Sequence, residues 1–230
     1  MPSVARPGGV QIAYEAVGEG PAIALAHGFG VDSGMWWPQR APLSERHRLI
    51  LWDARGHGGS STPAAPEAYS MPLFATDLDA VLTDAGIDSN TIIGGMSFGG
   101  QIALQYAVDY PARTRALILS DSAPRGPSQP DSIEPPGVSG AFLAMAQRPD
   151  LTPALPSLTV PVLVLYGEHD QRLIGGVARL ANGLPQRRVV CLTGCTHGTS
   201  AQRPREWTQA VLDFLGDIEA GRPISGEVTI

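Results

Sequence analysis

Residues 95–99 of this chain read Gly-Met-Ser-Phe-Gly, between the apolar run 91–94 and the helix-forming stretch 101–107. A strand-to-helix turn this tight forces its central residue, Ser97, into a strained backbone conformation. Glycines two residues to either side allow the strand and the helix to pack without collision. The stretch therefore predicts a nucleophilic serine whose hydroxyl is held exposed above a sheet.

Apolar runs alternate with helical patterns on both sides of this turn. The runs typical of buried strands are 22–26, 49–52, 91–93, 116–119, 160–166 and 188–192, and 9–17 has the alternation of an exposed strand. Helices are predicted at about 71–85, with Ser70 as the N-cap, and at about 204–215. This alternation predicts an α/β fold, a mostly parallel twisted sheet flanked by helices.

Length and composition favour a single domain over residues 1–230, with 43% hydrophobic and 17% charged residues. Many prolines punctuate 122–159, where only 138–147 has the pattern of a helix. We interpret 122–159 as a shortened lid. No period is sustained over 216–230, which we interpret as a C-terminal surface tail.

The charge pattern argues against nucleic acid as a partner. The formal net charge is −6, and the sequence contains no cluster of cations that would bind phosphates. Neither a bilayer-spanning apolar stretch nor a signal-peptide segment is found, so we expect a cytoplasmic protein without a membrane partner, as a monomer or homodimer.

A serine needs a base, and the base needs a group to orient it. His197 follows the strand predicted at 188–192, and Asp170 follows the strand predicted at 160–166, so the chain order is Ser, Asp, His. Each residue alone has an ordinary structural explanation, but together they predict a hydrolase site. Asp121, at the end of 116–119, is a less favoured alternative acid.

Two backbone N–H groups should converge on the oxyanion that acyl transfer creates. We expect them from Phe98 and from Phe29, after the strand at 22–26, with His27 as a structural residue beneath that loop. The glycines of 28–34 and Asp53 also imitate a dinucleotide-binding fingerprint, but such a lone pattern is a weak signal. Residues 36–38, Trp-Trp-Pro, are moreover an awkward start for the regular helix that pyrophosphate binding requires.

Several motifs together resemble those of the α/β-hydrolase superfamily, from about residue 10 to 215. They are His-Gly-Phe-Gly at 27–30, Met-Trp-x-Pro-Gln at 35–39, Asp-Ala-Arg-Gly-His-Gly-Gly-Ser at 53–60, Gly-Met-Ser-Phe-Gly-Gly at 95–100, Gly-x-x-Asp at 167–170 and Thr-His at 196–197. The chain looks most like the 3-oxoadipate enol-lactonase and small carboxylesterase branch, which implies hydrolysis of a lactone or ester. Similar enzymes carry a cap of several helices, which is shortened here, and their counterpart of 53–60 is a structural loop.

The expected chemistry is two-step acyl transfer on a small-molecule ester or lactone, without a metal or organic cofactor. Because the lid is short, we expect an open site for small or varied acyl groups. Its expected apolar lining consists of Phe29, Trp36, Phe98, Phe142 and Met145. Two alternatives remain: a ligand receptor that retains the triad with little turnover, and a perhydrolase in which peroxide replaces water.

Overall fold

The computed structural model describes residues 1–88, 90–125 and 139–230. Within these ranges one sheet has the strand order β1-β2-β4-β3-β5-β6-β7-β8-β9. The strands are β1 (Ser3–Arg6), β2 (Val10–Val17), β3 (Ala22–Ala26), β4 (Arg48–Trp52), β5 (Thr91–Met96), β6 (Thr114–Ser120), β7 (Val162–Gly167), β8 (Arg187–Leu192) and β9 (Glu227–Thr229). β1 and β2 pair antiparallel, β2 and β4 do the same, and every later pairing is parallel. The predicted α/β class is confirmed.

Seven α-helices accompany the sheet in the described part of the chain. They are α1 (Trp37–Ser44), α2 (Met71–Asp84), α3 (Phe98–Asp109), α4 (Ser139–Ala146), α5 (Ile174–Gly183), α6 (Thr199–Gln202) and α7 (Pro204–Glu219). The predicted cap of α2 is confirmed, because Ser70 Oγ accepts a hydrogen bond from Leu73 N at 3.2 Å. Across these residues, no helix combines the length and apolarity that crossing a bilayer requires.

The core has two parts, one on each face of the sheet. On one face α2, α3 and α5 bury residues such as Phe74, Tyr106 and Leu180. On the other face α1 and α7 bury Leu43 and Trp207. The strands between are covered on both sides, which is why they read as continuous apolar runs rather than as alternating patterns.

The start of α1, the end of α7 and the strand β9 differ from the sequence-based expectations. α1 begins at Trp37 directly after a 3₁₀ turn, and Pro38 occupies its first turn, where a missing N–H costs no hydrogen bond. The expectation that residues 36–38 are an awkward start for a regular helix is therefore wrong. α7 continues to Glu219, and β9 pairs with β8, although 216–230 has no sustained period. A three-residue edge strand is too short to produce a recognisable alternation.

The predicted lid spans 122–159, of which 126–138 lies outside the described residues, as does the first residue of the helix predicted at 138–147. The described remainder contains α4 and a 3₁₀ segment, Thr152–Ser157. Phe142 of α4 packs against Phe29, with ring centroids 5.7 Å apart. The short helix therefore lies over the loop that follows β3.

Candidate active site

The site lies where parallel strands end. Ser97 follows β5, Asp170 follows β7 and His197 follows β8. Because neighbouring parallel strands bring their carboxyl ends to one edge of the sheet, residues far apart in sequence become close in space. The loop after β3 and Asp121, after β6, reach the same edge.

Ser97 has the backbone strain that its turn predicts. Its φ of 53° and ψ of −110° lie outside the regions that an L-residue prefers, and only Asp121 shares a positive φ among the described non-glycine residues. The Ser97 N–H donates to Ser120 O at 2.8 Å, and Gln101 N donates to Ser97 O at 3.1 Å. These bonds hold the residue between β6 and the first turn of α3.

The flanking glycines are required by backbone contacts. A Cβ on Gly99 would lie 2.1 Å from Ala26 O, and one on Gly95 would lie 2.3 Å from the Gly99 carbonyl carbon. Backbone atoms cannot relieve such a clash by changing rotamer, as a side chain can. β3, β5 and α3 therefore approach one another only when both positions lack a side chain.

We expect Gly99→Ala to lower the free energy of unfolding by about 3 kcal/mol or more, because the methyl group overlaps fixed backbone atoms. Gly216→Ala in α7 is the matched control, since nothing lies within 4 Å of its added Cβ. Alanine favours a helix interior over glycine by up to about 1 kcal/mol. Urea denaturation of both variants measures the difference, and equal stabilities would contradict the packing explanation.

The three side chains form a continuous line of hydrogen bonds. His197 Nε2 is 2.9 Å from Ser97 Oγ, and His197 Nδ1 is 2.6 Å from Asp170 Oδ2. Asp170 is 4% exposed, whereas about a third of the His197 side chain is exposed. A buried carboxylate that accepts from Nδ1–H leaves Nε2 free to accept the serine proton.

Gly167 explains how the acid and the histidine come together. A Cβ on Gly167 would lie 2.2 Å from Thr196 O, so the end of β7 touches the backbone of the loop that carries His197. Asp170 N donates to Gly167 O at 3.0 Å, which closes a tight turn. His169 N also donates to Cys195 O at 2.7 Å and ties the two loops together.

Asp121, the alternative acid, lies beside this line and is engaged elsewhere. Its Oδ2 accepts from Thr199 N at 3.0 Å, from Thr199 Oγ1 at 2.7 Å and from Ser120 Oγ at 2.9 Å. Burial raises the pKa of the Asp121 carboxyl, although these hydrogen bonds act in the opposite direction. The carboxylate that contacts His197 Nδ1 belongs to Asp170.

Among the described residues, Asp121, Asp170 and His197 form the group that could hold a metal ion, since their ligand atoms lie within 4.8 Å of one another. Most of these atoms are already used in hydrogen bonds: Nδ1 with Asp170, Nε2 with Ser97, and Asp121 Oδ2 with Thr199. Moving a proton from a hydroxyl to an imidazole accounts for the arrangement without an ion.

His27 orients the loop after β3. Its Nε2 accepts from Ala54 N at 3.0 Å, so Nδ1 carries the proton and donates to Gly28 O at 2.7 Å. Burial lowers the pKa of His27 to about 4, so the ring is neutral. In a trans peptide the Phe29 N–H points opposite to the Gly28 carbonyl, and therefore away from His27.

Phe98 is the first residue of α3, and its N–H is among the amides that have no acceptor within their own helix. The side chain is fully buried and packs edge-on against Phe74, with ring centroids 5.0 Å apart. The expectation that the Phe98 ring lines the pocket is therefore wrong, because packing against α2 turns it inward. Its backbone lies beside Ser97.

An open cavity of about 810 Å³ lies above Ser97 and His197. Met145 and Phe29 line it as expected. Phe142 does not line it, contrary to the expectation, and instead packs against the Phe29 ring. Among the lining side chains that the sequence analysis missed are four arginines, Arg125, Arg148, Arg172 and Arg179. The sequence has no run of cations, but the fold brings these four to one cavity.

The expectation that Trp36 binds substrate is wrong. Its side chain is fully buried, and its ring centroid lies 5.3 Å from that of Trp207, in the core between the sheet and α7. The large apolar surface of Trp36 gains more from packing there than from lining an open cavity.

In the dinucleotide-binding alternative, Asp53 would have to bind a ribose, but its carboxylate is not available for this. Asp53 is 3% exposed, and its two oxygens accept from Ser33 N and Gly59 N, both at 2.8 Å. These bonds join the loop after β3 to residues 53–60. Arg55 of that segment forms a buried ion pair with Asp77, at 2.6 Å, in keeping with a structural loop.

Comparison with known proteins places this chain in a family. The family model described as the alpha/beta hydrolase fold matches residues 21–142, more than half of the chain. The chain belongs to the α/β-hydrolase family.

Three similar proteins show how far the likeness extends in sequence identity, in chain coverage and in structure. An uncharacterized protein of Mycobacterium tuberculosis is 31% identical over 213 residues, which cover 91% of this chain and 58% of that protein. The chain thus spans little more than half the length of that relative. A thermophilic esterase from Thermogutta terrifontis, solved with malate bound, is 28% identical, with a TM-score of 0.85 over 94% of this chain and 97% of its own. The enol-lactonase from Burkholderia xenovorans shares the fold at 24% identity, with a TM-score of 0.83 over 94% of this chain and 100% of its own.

Proposed function

We propose that this protein hydrolyses carboxylic esters or lactones by two-step acyl transfer, with Ser97, His197 and Asp170 as its catalytic triad. The observation that carries the proposal is the hydrogen-bonded line from Ser97 Oγ through His197 to Asp170, open to a cavity at its serine end. The likeness to the Thermogutta terrifontis esterase agrees with it.

In the first step, Ser97 Oγ attacks the carbonyl carbon while His197 Nε2 accepts its proton. The imidazolium then gives this proton to the leaving alkoxide, which leaves an acyl group on the serine. In the second step, water attacks that acyl group, again with His197 as the base. Asp170 accepts from Nδ1–H throughout and stabilises the imidazolium.

The oxyanion formed in each step is stabilised by the N–H groups of Phe29 and Phe98. The first is oriented by the His27 bond to the Gly28 carbonyl, and the second belongs to the first turn of α3. A helix N-terminus also attracts negative charge. Removing one such donor typically costs a hundredfold or more in rate.

Residues 122–159 serve in this proposal as a reduced lid whose α4 covers one side of the cavity. Met145 lines the cavity, and Phe142 supports Phe29. In the described part of this lid α4 is the single α-helix, and so reduced a lid would leave the site more open than a cap of several helices, which favours small or varied acyl groups.

A panel of p-nitrophenyl esters and simple lactones tests the proposal, with a fluorophosphonate probe to label the nucleophile. We expect sustained turnover of at least one class and stoichiometric labelling of Ser97. A ligand receptor would cleave each ligand at most a few times per molecule, and that outcome would refute the proposal. Adding peroxide and measuring peracid identifies perhydrolase chemistry, which uses the same triad.

A further inference from the structure

The wall of the cavity beside Ser97 carries four arginines, in a protein that is acidic as a whole. Arg125, Arg148, Arg172 and Arg179 line it, while the full chain has a formal charge of −6. None of the four has a carboxylate oxygen within 4.0 Å in residues 1–88, 90–125 and 139–230. Arginines elsewhere, such as Arg55 and Arg188, are ion-paired at 2.6 Å.

Arg148 is the most constrained of the four because it is half-buried. Its Nη1 donates to Met145 O at 2.8 Å, whereas its Nε is buried without an acceptor among the described residues. Leaving a buried donor of a charged group unpaired is costly. The Oε1 atom of Gln101, which lines the same cavity, is also buried without a described partner.

Arg172 and Arg179 reach the cavity because of how α5 is placed. Arg172 lies two residues before α5, in the turn that leads into the helix, and Arg179 lies within α5. Gly176, between them, also lines the cavity, and its Cβ would lie 2.4 Å from Ala123 Cβ. This close approach of α5 to the loop after β6 brings both guanidinium groups to the wall.

Acidic groups near the four arginines form no ion pair with them among the described residues. Asp121 lines the cavity, and its Oδ2 accepts from Thr199 and Ser120, whereas its Oδ1 is buried without a described partner. Asp150, which is outside the cavity lining, accepts from Thr152 N at 2.9 Å, and Arg125 and Arg179 help to lower its pKa. Asp150 thus offsets part of the arginines' charge from a distance, but a carboxylate that entered the cavity would still meet guanidinium groups that have no ion-pair partner.

From this geometry we infer that the cavity selects substrates that carry a carboxylate at the end remote from the scissile ester or lactone carbonyl. Guanidinium groups bind carboxylates through paired, charge-assisted hydrogen bonds, which gives both affinity and orientation. The carboxylate would satisfy Arg148 and be held by Arg172 and Arg179, with the reacting carbonyl at Ser97. As a statement about turnover, this inference rests on the proposed function.

Two esters of one size test it: ethyl hydrogen glutarate, which is an anion, and ethyl glutaramate, its neutral carboxamide. We expect kcat/KM to favour the anion by about tenfold or more, a preference worth about 1.4 kcal/mol. The anion's KM should rise with salt, because screening weakens attraction between charges. Arg148→Gln, and separately Arg172→Gln with Arg179→Gln, should each reduce the preference several-fold. The double variant changes only exposed side chains, so it keeps the test valid if Arg148→Gln fails to fold.

Arg205→Gln is the matched control, because Arg205 is exposed on α7, lies outside the cavity lining and loses the same charge. It should leave the preference unchanged. A second measurement does not depend on turnover: calorimetry of Ser97→Ala with ethyl hydrogen glutarate and with ethyl glutaramate, where we expect the anionic ester to bind more tightly.

The outcomes separate this inference from the proposed function. If both esters are hydrolysed equally and ethyl hydrogen glutarate binds Ser97→Ala no better than ethyl glutaramate does, the inference is overturned and the esterase proposal stands. If neither ester is hydrolysed but the anionic ester binds through the arginines, anion recognition is supported and the esterase proposal loses support. If Arg205→Gln reduced the preference for the anionic ester as much as the cavity variants do, the inference of carboxylate selection would also be overturned.

Discussion

Ser97→Ala should lower kcat for ester hydrolysis by roughly 10⁵- to 10⁶-fold, with little change in KM. The reason is that Ser97 Oγ supplies the bond-forming atom, whereas the cavity that binds the substrate remains. Alanine keeps the strained turn and removes only the hydroxyl that is bonded to His197 Nε2. Steady-state rates and fluorophosphonate labelling of the same preparations measure the effect.

Ser122→Ala provides a matched control for this large loss. Ser122 Oγ donates to the Ser97 carbonyl at 2.9 Å and so lies next to the nucleophile. Ser122→Ala removes a neighbouring hydroxyl, and with it one hydrogen bond worth about 1 kcal/mol. We therefore expect kcat to fall by no more than about tenfold. If Ser97→Ala retained the rate of Ser122→Ala, another residue would have to be the nucleophile.

Asp170→Asn should reduce kcat by about 10³- to 10⁴-fold, because an amide no longer holds the imidazole in the tautomer that accepts the serine proton. Asp121→Asn should cost less than about tenfold, since an amide oxygen still accepts the bonds from Thr199 and Ser120. Comparing kcat for the two variants tests which acid orients the histidine. A larger loss in Asp121→Asn would reverse the assignment.

Combining Asp170→Asn with Asp121→Asn in one double variant tests whether the two carboxyl groups are coupled. Their oxygens lie within 4.8 Å of one another and of His197, so the effects of the two substitutions need not add. We expect the double variant to be less active than Asp170→Asn alone if Asp121 can support the histidine when Asp170 cannot. Equal activities would show that Asp121 acts only through Thr199 and Ser120.

Much of the fold and the arrangement of the candidate site could be predicted because the relevant signals are local. The glycines at 95 and 99 indicate that two backbone segments pack closely there. Buried parallel strands are recognisable in the sequence because they appear as continuous apolar runs. Once Ser97, Asp170 and His197 were each assigned to a strand end, the topology of a parallel sheet made them neighbours. No long-range contact had to be guessed.

The parts that escaped prediction depend on packing between distant segments. Whether an aromatic residue such as Trp36 faces a cavity or the core is decided by its partner, here Trp207, 171 positions along the chain. The four cavity arginines lie after β6, after α4, before α5 and within α5, so no helical spacing in the sequence groups them. Their convergence required the placement of α5 against Ala123.

The backbone contacts of Gly95, Gly99 and Gly167 have a consequence for anyone who wishes to redesign this protein. They position the reactive atoms through main-chain fit, while α4, α5 and the segment around Arg148 form the walls of the cavity. Mutant libraries should therefore hold these glycines constant and diversify the walls, where new substrate preferences can be selected without displacing the serine.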